Sequence, residues 1–353
     1  WTNIPNTISN SVNFRVSDYN NSTVNDASTG AHIIKGVLDL MTPDDTPQTF
    51  SIGDNIPIQW SKTGTIGNLK IEYSAKGDFT DTLVIDPGFP SGVDGLNSLA
   101  PIWTAPFKVS ETYKIRVSNV TPPVGTELTD TSTANFGVRP KITGITSPAL
   151  NEVWNVGVTT KVITWSAISA TKTDGITLPK VKFQYLVAGG VWTDVLTPAG
   201  AVVEVDCANG TNNYTWARGV ADEKSEDVKI KVYFSDYAAV NLESASFKIR
   251  PVVTVSLSPD APNTGGLVVG TNYPNLVRWI NTGTKIATVK IFYSTDGTTY
   301  PAGNTIGNTL GEPVASGATG ITWNIPSATT ITSTAKIKVE DAGNANVFGE
   351  TPN

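Results

Sequence analysis

A chain of 353 residues with a formal charge of −6 and a single cysteine has room for several domains and no internal disulfide to staple them. Its 25 Lys and Arg are outnumbered by 31 Asp and Glu, with no basic run, which excludes a nucleic-acid backbone or an anionic membrane surface as partner. No apolar run reaches the ~20 residues of a membrane-spanning helix.

The chain opens inside a repeat. Trp1 begins W-T-N-I-P, followed by V-N-F-R-V-S-D, whose period of two puts Val12, Phe14 and Val16 on one, buried, face. A polar loop leads to A-H-I-I-K-G, a last strand. Residues 1–36 are expected to be the closing strands of a partial immunoglobulin-like repeat. A start at Trp1, in mid-repeat and without Met, predicts a piece cut from a longer polypeptide.

Residues 37–139 form the first full repeat. F-S-I-G-D-N-I-P-I-Q-W ends at Trp60, and L-K-I-E-Y places Leu69, Ile71 and Tyr73 inward with Lys70 and Glu72 outward. An irregular Gly/Pro segment, 86–101, precedes Trp103, and Y-K-I-R-V follows. Residues 140–250 repeat the plan, with V-K-F-Q-Y before a Gly189-Gly190 hairpin turn. The charged run A-D-E-K-S-E-D, 221–227, reads as a solvated loop. Residues 251–353 form the last repeat, with Y-S-T-D-G as its hairpin signal. Phe79, Trp192 and Tyr300 share one slot beyond the turn. The closing strand, 30–36 residues past Trp1, Trp103 and Trp216, is expected to be missing or displaced after Trp323.

The tryptophans keep the beat. Trp1, Trp103, Trp216 and Trp323 are spaced by 102, 113 and 107 residues, and Trp60, Trp165 and Trp279 by 105 and 114. Such spacing is too long for a solenoid and suits two-sheet sandwiches of about 100 residues. The fold expected is all-β: tandem immunoglobulin-like β-sandwich domains in an extended array. Arg139-Pro140 and Arg250-Pro251 join repeats with no Gly/Ser spacer, so the array is expected to be semi-rigid.

Chemistry is sparse. His32 is the only imidazole and reads as a strand-face residue, and Cys207 as a packed strand residue. Neither has a base or nucleophile near it in sequence, and no catalytic or cofactor-binding residue is assigned. Paired carboxylates for glycoside cleavage stay open on sequence alone. Trp154 and Trp192, which lack counterparts in every repeat, are the candidates for sugar stacking. Ca²⁺ is the one cofactor suggested: Asp18 and Asp26 share a loop, Asp44 and Asp45 share another, and Asp341 repeats the Asp18 position. Solvated turn aspartates are the plainer reading. Sequons stand at Asn20, Asn21, Asn119, Asn209 and Asn213.

Ser147 to Trp165 reads S-P-x5-W-x2-G-x5-I-T-W, with V-K-I-x-Y-S, W-x-I-P and A-K-I-K-V-x-D as companions. This set resembles repeats of the yeast cell-wall Ser/Thr-rich anchored family and of large bacterial surface proteins. In an acidic chain nearly free of Cys and Met it is most similar to bacterial surface-layer (S-layer) proteins, those of anammox bacteria in particular. The resemblance implies a secreted structural glycoprotein of the cell envelope that self-assembles into a lattice, extracellular and without catalytic residues. The alternatives are an adhesin stalk or carbohydrate-binding module that meets cell-surface glycans, and an accessory region of a secreted hydrolase. The offset ends also suggest head-to-tail strand donation, a fragment boundary being the plainer explanation.

Overall fold

The computed structural model describes residues 3–258, 266–307, 314–315 and 320–352; Trp1, the first of the repeating tryptophans, lies outside them. Every regular element described is a β-strand. The first four are β1 (Ser9–Val12), β2 (Arg15–Ser17), β3 (Asn25–Ala27) and β4 (His32–Ile34). Then come β5 (Val37–Thr42), β6 (Thr49–Ser51), β7 (Asn55–Ile56), β8 (Gln59–Thr63), β9 (Leu69–Ser74), β10 (Leu83–Phe89), β11 (Gly95–Ser98), β12 (Trp103–Thr104), β13 (Ser110–Asn119), β14 (Thr129–Thr131) and β15 (Phe136–Arg139). Next are β16 (Lys141–Ser147), β17 (Val153–Asn155), β18 (Val162–Ile168), β19 (Lys180–Val187), β20 (Thr193–Asp194), β21 (Glu204–Asp206), β22 (Gly210–Thr215), β23 (Ser225–Phe234), β24 (Asn241–Glu243) and β25 (Phe247–Arg250). The last are β26 (Val252–Leu257), β27 (Asn272–Thr282), β28 (Thr288–Ser294), β29 (Val314–Ala315), β30 (Ile321–Asn324), β31 (Lys336–Asp341) and β32 (Asn344–Glu350).

Three apolar cores gather these strands into three units: the first runs from Leu40 to Val138 and takes in Ala170 of the second unit, the others run from Trp154 to Ile249 and from Val253 to Val347. Each unit faces a three-stranded sheet (β11-β8-β5, β16-β18-β22, β26-β27-β30) with a larger one built on β9 and β13, β19 and β23, or β28 and β31. The architecture is an array of immunoglobulin-like sandwiches. In the first two units a short parallel strand closes the larger sheet, β6 on β15 and β17 on β25.

Trp60, Trp165 and Trp279 lie on the central strand of each three-stranded sheet, opposite Leu40, Ile145 and Val255. All three are buried. A central strand is covered on both edges by neighbours, so its inward side chain has nowhere to go but the core. The second set packs on the tyrosine of the facing sheet: Tyr73–Trp103 at 4.9 Å, Tyr185–Trp216 at 5.6 Å and Tyr293–Trp323 at 5.1 Å, tilted by 44°, 47° and 41°. The slot shared by Phe79, Trp192 and Tyr300 also holds. Each ring carries a cation from the neighbouring strand: Arg116 at 4.3 Å, Lys231 at 4.4 Å and Lys338 at 4.9 Å.

Three expectations need correction. Val12, Phe14 and Val16 do not form a buried face: Phe14 stands between β1 and β2, Val16 is 78% exposed, and the core begins only at Leu40. The hairpin itself keeps the register of the full units, with Val12 opposite His32 as Tyr113 is opposite Phe136, and Arg15 opposite Ala27 as Arg116 is opposite Thr131. What it lacks is a facing sheet among the described residues. Segment 86–101 is irregular only in part: it carries the end of β10, with a register shift between Asp86 and Phe89, and all of β11, and Pro87 sits on an edge strand where its missing N–H breaks no ladder. Glu72 lies on the outer face as expected but is covered, bound by Lys70 and by Arg116 at 2.9 Å. The third unit has a strand after β31, at the place of β14 and β24 and not of the closing strands β15 and β25. Lys338 pairs with Glu350 in β32, as Lys231 does with Glu243. No strand at the place of β15 and β25 follows it among the described residues.

A buried tryptophan removes roughly 150–250 Å² from water, on the order of 4–6 kcal/mol at about 25 cal/mol per Å². Trp165→Ala is therefore expected to cost about 3–5 kcal/mol in the unfolding of the second unit. Trp192→Ala, on the surface under Lys231, is expected to cost under ~1 kcal/mol. Denaturant unfolding followed by hydrogen exchange measures both.

Candidate functional site

The residues singled out by sequence do not converge. Trp154 is fully buried, 4.9 Å from Phe247 and 6.1 Å from Trp216, so it cannot present a face to a sugar. Trp192 is half-buried with Lys231 over its ring. Cys207 is buried, accepts a hydrogen bond from Trp165 Nε1 at 3.4 Å, and has its thiol pushed up by burial, which makes it a poor nucleophile. His32 packs against Phe14 at 4.9 Å.

The aspartates are engaged locally. Asp18 Oδ1 accepts the N–H groups of Asn20 and Asn21 at 2.8 and 2.9 Å, and Asp26 accepts that of Ala27. Asp44 hydrogen-bonds Asp45 and pushes its carboxyl above the ordinary range, with the charge of Asp39 adding to the shift. Asp341 is buried in an ion pair with Lys224, 2.7 Å away. Among the described residues no three His, Cys, Asp or Glu side chains gather where an ion could bind. Asn20, Asn21, Asn209 and Asn213 are exposed. Asn119 is half-buried and ties down its own loop, accepting from Leu128 N at 2.8 Å and donating to Thr126 O at 3.1 Å.

What does converge lies at the junctions. Arg139, the last residue of β15, binds Glu111 at the start of β13 through two bonds of 2.8 and 2.9 Å. Arg250 binds Glu226 at the same place in the second unit, at 2.8 and 2.7 Å. The fork geometry of guanidinium and carboxylate fixes both partners. The hairpin loop of the following unit then caps the pair. Tyr237 lies under Arg139 at 5.2 Å, and Asn344 donates to Glu226 at 2.9 Å. The first hairpin meets the next unit in the same way, Asn10 donating to Val124 O at 3.2 Å.

The run 221–227 was expected to be solvated and is instead the contact surface between the second and third units. Asp222 accepts from Thr284 N at 2.9 Å and Thr284 Oγ1 at 2.7 Å, Glu223 faces Lys285 at 3.9 Å, and Lys224 holds Asp341. Charged runs look alike in sequence whether water or a neighbour solvates them. Gly283, with φ +99°, lets the chain pass against Asp222 and Val156 where a Cβ would collide. At the preceding junction Lys141 faces Asp54 at 3.4 Å, and Val109 N donates to Thr171 O at 3.1 Å. Hydrogen bonds from Arg250, with Asn344 and Lys248 behind it, pull Glu226 down to about 2.

No protein-family model and no curated protein matches the sequence. Solved structures that align with it include fibronectin(III)-like modules of Clostridium thermocellum CbhA, 17% identical over 60% of this chain and 93% of that one, TM-score 0.20. An I-band fragment from titin is 14% identical over 90% and 96%, TM-score 0.27. An ICAM-5 ectodomain fragment is 12% identical over 89% and 74%, TM-score 0.30. Likeness at this level carries no functional argument; the fold class rests on the strands and their pairing described above.

Two outcomes test the junction. Because the Glu226 carboxyl is depressed in the folded chain, its contribution is complete above pH 4.5 and lost as pH falls through about 2. Thermal melts of Glu226→Gln should differ from those of the native chain at neutral pH and converge with them below about pH 2. Lys224→Met leaves the Asp341 carboxylate buried and unpaired, which should cost about 2–3 kcal/mol, below the fully buried range because Lys224 is partly exposed. A double-mutant cycle with Asp341→Leu measures the pair.

Proposed function

We propose that this chain is a non-catalytic structural element of a cell surface, divided into a leading partial module over 1–36 and modules over 37–139, 140–250 and 251–353. Its task is to hold sandwich modules at fixed spacing within a self-assembling layer. The observation that carries this reading is the repeated junction: the Glu111–Arg139 and Glu226–Arg250 forks, each capped by the next unit's loop. A protein that only displayed independent domains would gain nothing from joining them without slack. An acidic, disulfide-free, Ser/Thr/Asn-rich chain suits an exported layer, and the resemblance of its W-x-I-P and A-K-I-K-V-x-D motifs to S-layer repeats supports the same assignment. The sugar-binding alternative loses its candidates, since Trp154 is core and Trp192 is covered by a cation.

Lateral contact between chains would run through polar and acidic faces. Ca²⁺, if used, would bridge chains rather than fill a site within one. The chain, purified and concentrated, is expected to form ordered sheets or filaments by negative-stain electron microscopy; persistence as dispersed monomers at every concentration and ionic condition would refute the lattice. Chelator is expected to shift the melting temperature by less than about 1 °C, since an ion held within the fold would stabilise it in proportion to its occupancy.

A further inference from the structure

The three junctions share one plan, and one of them carries different chemistry. Asn6, Phe107 and Asp222 each stand three residues ahead of a paired serine, Ser9, Ser110 or Ser225. Across the junction from Asn6 and Asp222 are Thr65 and Thr284, each the second residue past the central strand of the next unit. Within that strand Lys62, Ala167 and Asn281 each lie two residues past the buried tryptophan. Lys62 pairs with Gly95 and Ala167 with Gly210, so Asp94 and Asn209 hold matching places on the neighbouring strand. Only the first junction sets an amine, a carboxamide and a carboxylate at these positions.

Lys62 is 6% exposed, a lysine where the second unit places the buried Ala167. Its Nζ donates to Gly64 O at 2.9 Å and pairs with Asp94 Oδ1 at 3.4 Å. Asp94 Oδ1 also accepts from Gly64 N at 3.1 Å, which fixes the carboxyl group. The other oxygen, Oδ2, accepts from Asn6 Nδ2 at 3.0 Å. Thr65 holds Asn6 in place, its Oγ1 donating to Asn6 O at 2.7 Å and lying 3.5 Å from Asn6 Oδ1. One carboxylate thus carries a primary amine on one oxygen and a primary amide on the other. An ion pair of this length, with a partly exposed aspartate, offsets little of the cost of burying an ammonium. Stability alone therefore does not explain a lysine here.

We propose that Lys62 and Asn6 condense into an isopeptide bond that ties the leading hairpin covalently to the first unit. Asp94 takes a proton from the Lys62 ammonium, and the free amine attacks Asn6 Cγ. The Nζ–Cγ bond forms, and the Cγ–Nδ2 bond breaks as Asp94 passes a proton to Nδ2. Two protons in all move from Nζ to the departing nitrogen, which leaves as ammonium, and the Asp94 carboxylate is regenerated. The exit is a partly open cleft of about 240 Å³ lined by Asn6, Gly64 and Asp94. Fixing amine and amide on one carboxyl group supplies the high effective concentration such a step needs. Lys248, Glu226 and Asn344 make a similar trio, with contacts of 3.2 and 2.9 Å. There the Arg250 fork holds the carboxyl down to about 2, too weak a base to take the proton, and no bond is expected. The inference is independent of the lattice reading, since a chain that forms no sheets still carries the three groups.

Mass spectrometry of the purified full chain, incubated at neutral pH and then denatured, reads the bond. The mass expected is one ammonia below that of the sequence, and a protease digest should yield a branched peptide joining Asn6 to Lys62. Asp94→Asn and Lys62→Met should each restore the full mass, and Lys248→Met should leave the native loss unchanged. A native chain that keeps its full mass would overturn the proposal by itself, whether or not the variants fold. So would a loss that survives Asp94→Asn, or one that survives Lys62→Met and maps to a cyclic imide at Asn209-Gly210. A branch at Lys35, which also lines the cleft, would overturn the assignment of the nucleophile.

Discussion

A tryptophan locked on the central strand of a three-stranded sheet is the constraint from which the rest of each unit follows. Trp60, Trp165 and Trp279 are each flanked by hydrogen-bonded neighbours and capped by the facing sheet. Burying so large a ring in a sandwich of about 100 residues contributes a sizeable part of the net stability such a domain retains, typically 5–15 kcal/mol. With a single buried cysteine and no disulfide, that contribution has no covalent substitute. The second tryptophan, tilted on Tyr73, Tyr185 or Tyr293, ties one sheet to the other.

Between units the design passes from packing to electrostatics. A strand that closes one unit runs on into the strand that opens the next, with only Pro140 or Pro251 between them. Arg139 and Arg250 end the closing strands, and a carboxylate fork pins each. Exposed ion pairs of this kind contribute little stability by themselves. Their value here is geometric: the fork sets where the following hairpin loop can rest, through a ring in one junction and an amide in the other. Asp341, buried, pairs with Lys224 and so joins the third unit to the second.

Much of the fold was legible in the sequence because its signals are periodic. The Trp spacing and the two-residue alternation of L-K-I-E-Y and V-K-F-Q-Y report local geometry that each unit repeats, and Y-S-T-D-G marks the turn of the third. The slot of Phe79, Trp192 and Tyr300 was visible as a position, though not its cation, because Arg116, Lys231 and Lys338 come from a strand about 40 residues away. The misreadings share a cause. Val12, Phe14 and Val16 carry a core pattern whose facing sheet is absent from the described residues. The run 221–227 carries a surface pattern that a neighbouring unit covers, and Trp154 looks unpaired only because its counterparts are Phe50 and Leu267. Sequence states what a residue needs; which body supplies it is settled by long-range packing.

The central claim is that the junctions fix the distance between units. Spin labels on cysteines introduced at Thr80 in the first unit and Thr298 in the third, both exposed turn positions, measure it directly by pulsed electron resonance. A single narrow distance distribution is predicted for the native junctions, broadening when Arg139 and Arg250 are both replaced by alanine. A broad distribution in the native chain, or one unchanged by the replacements, would contradict the account.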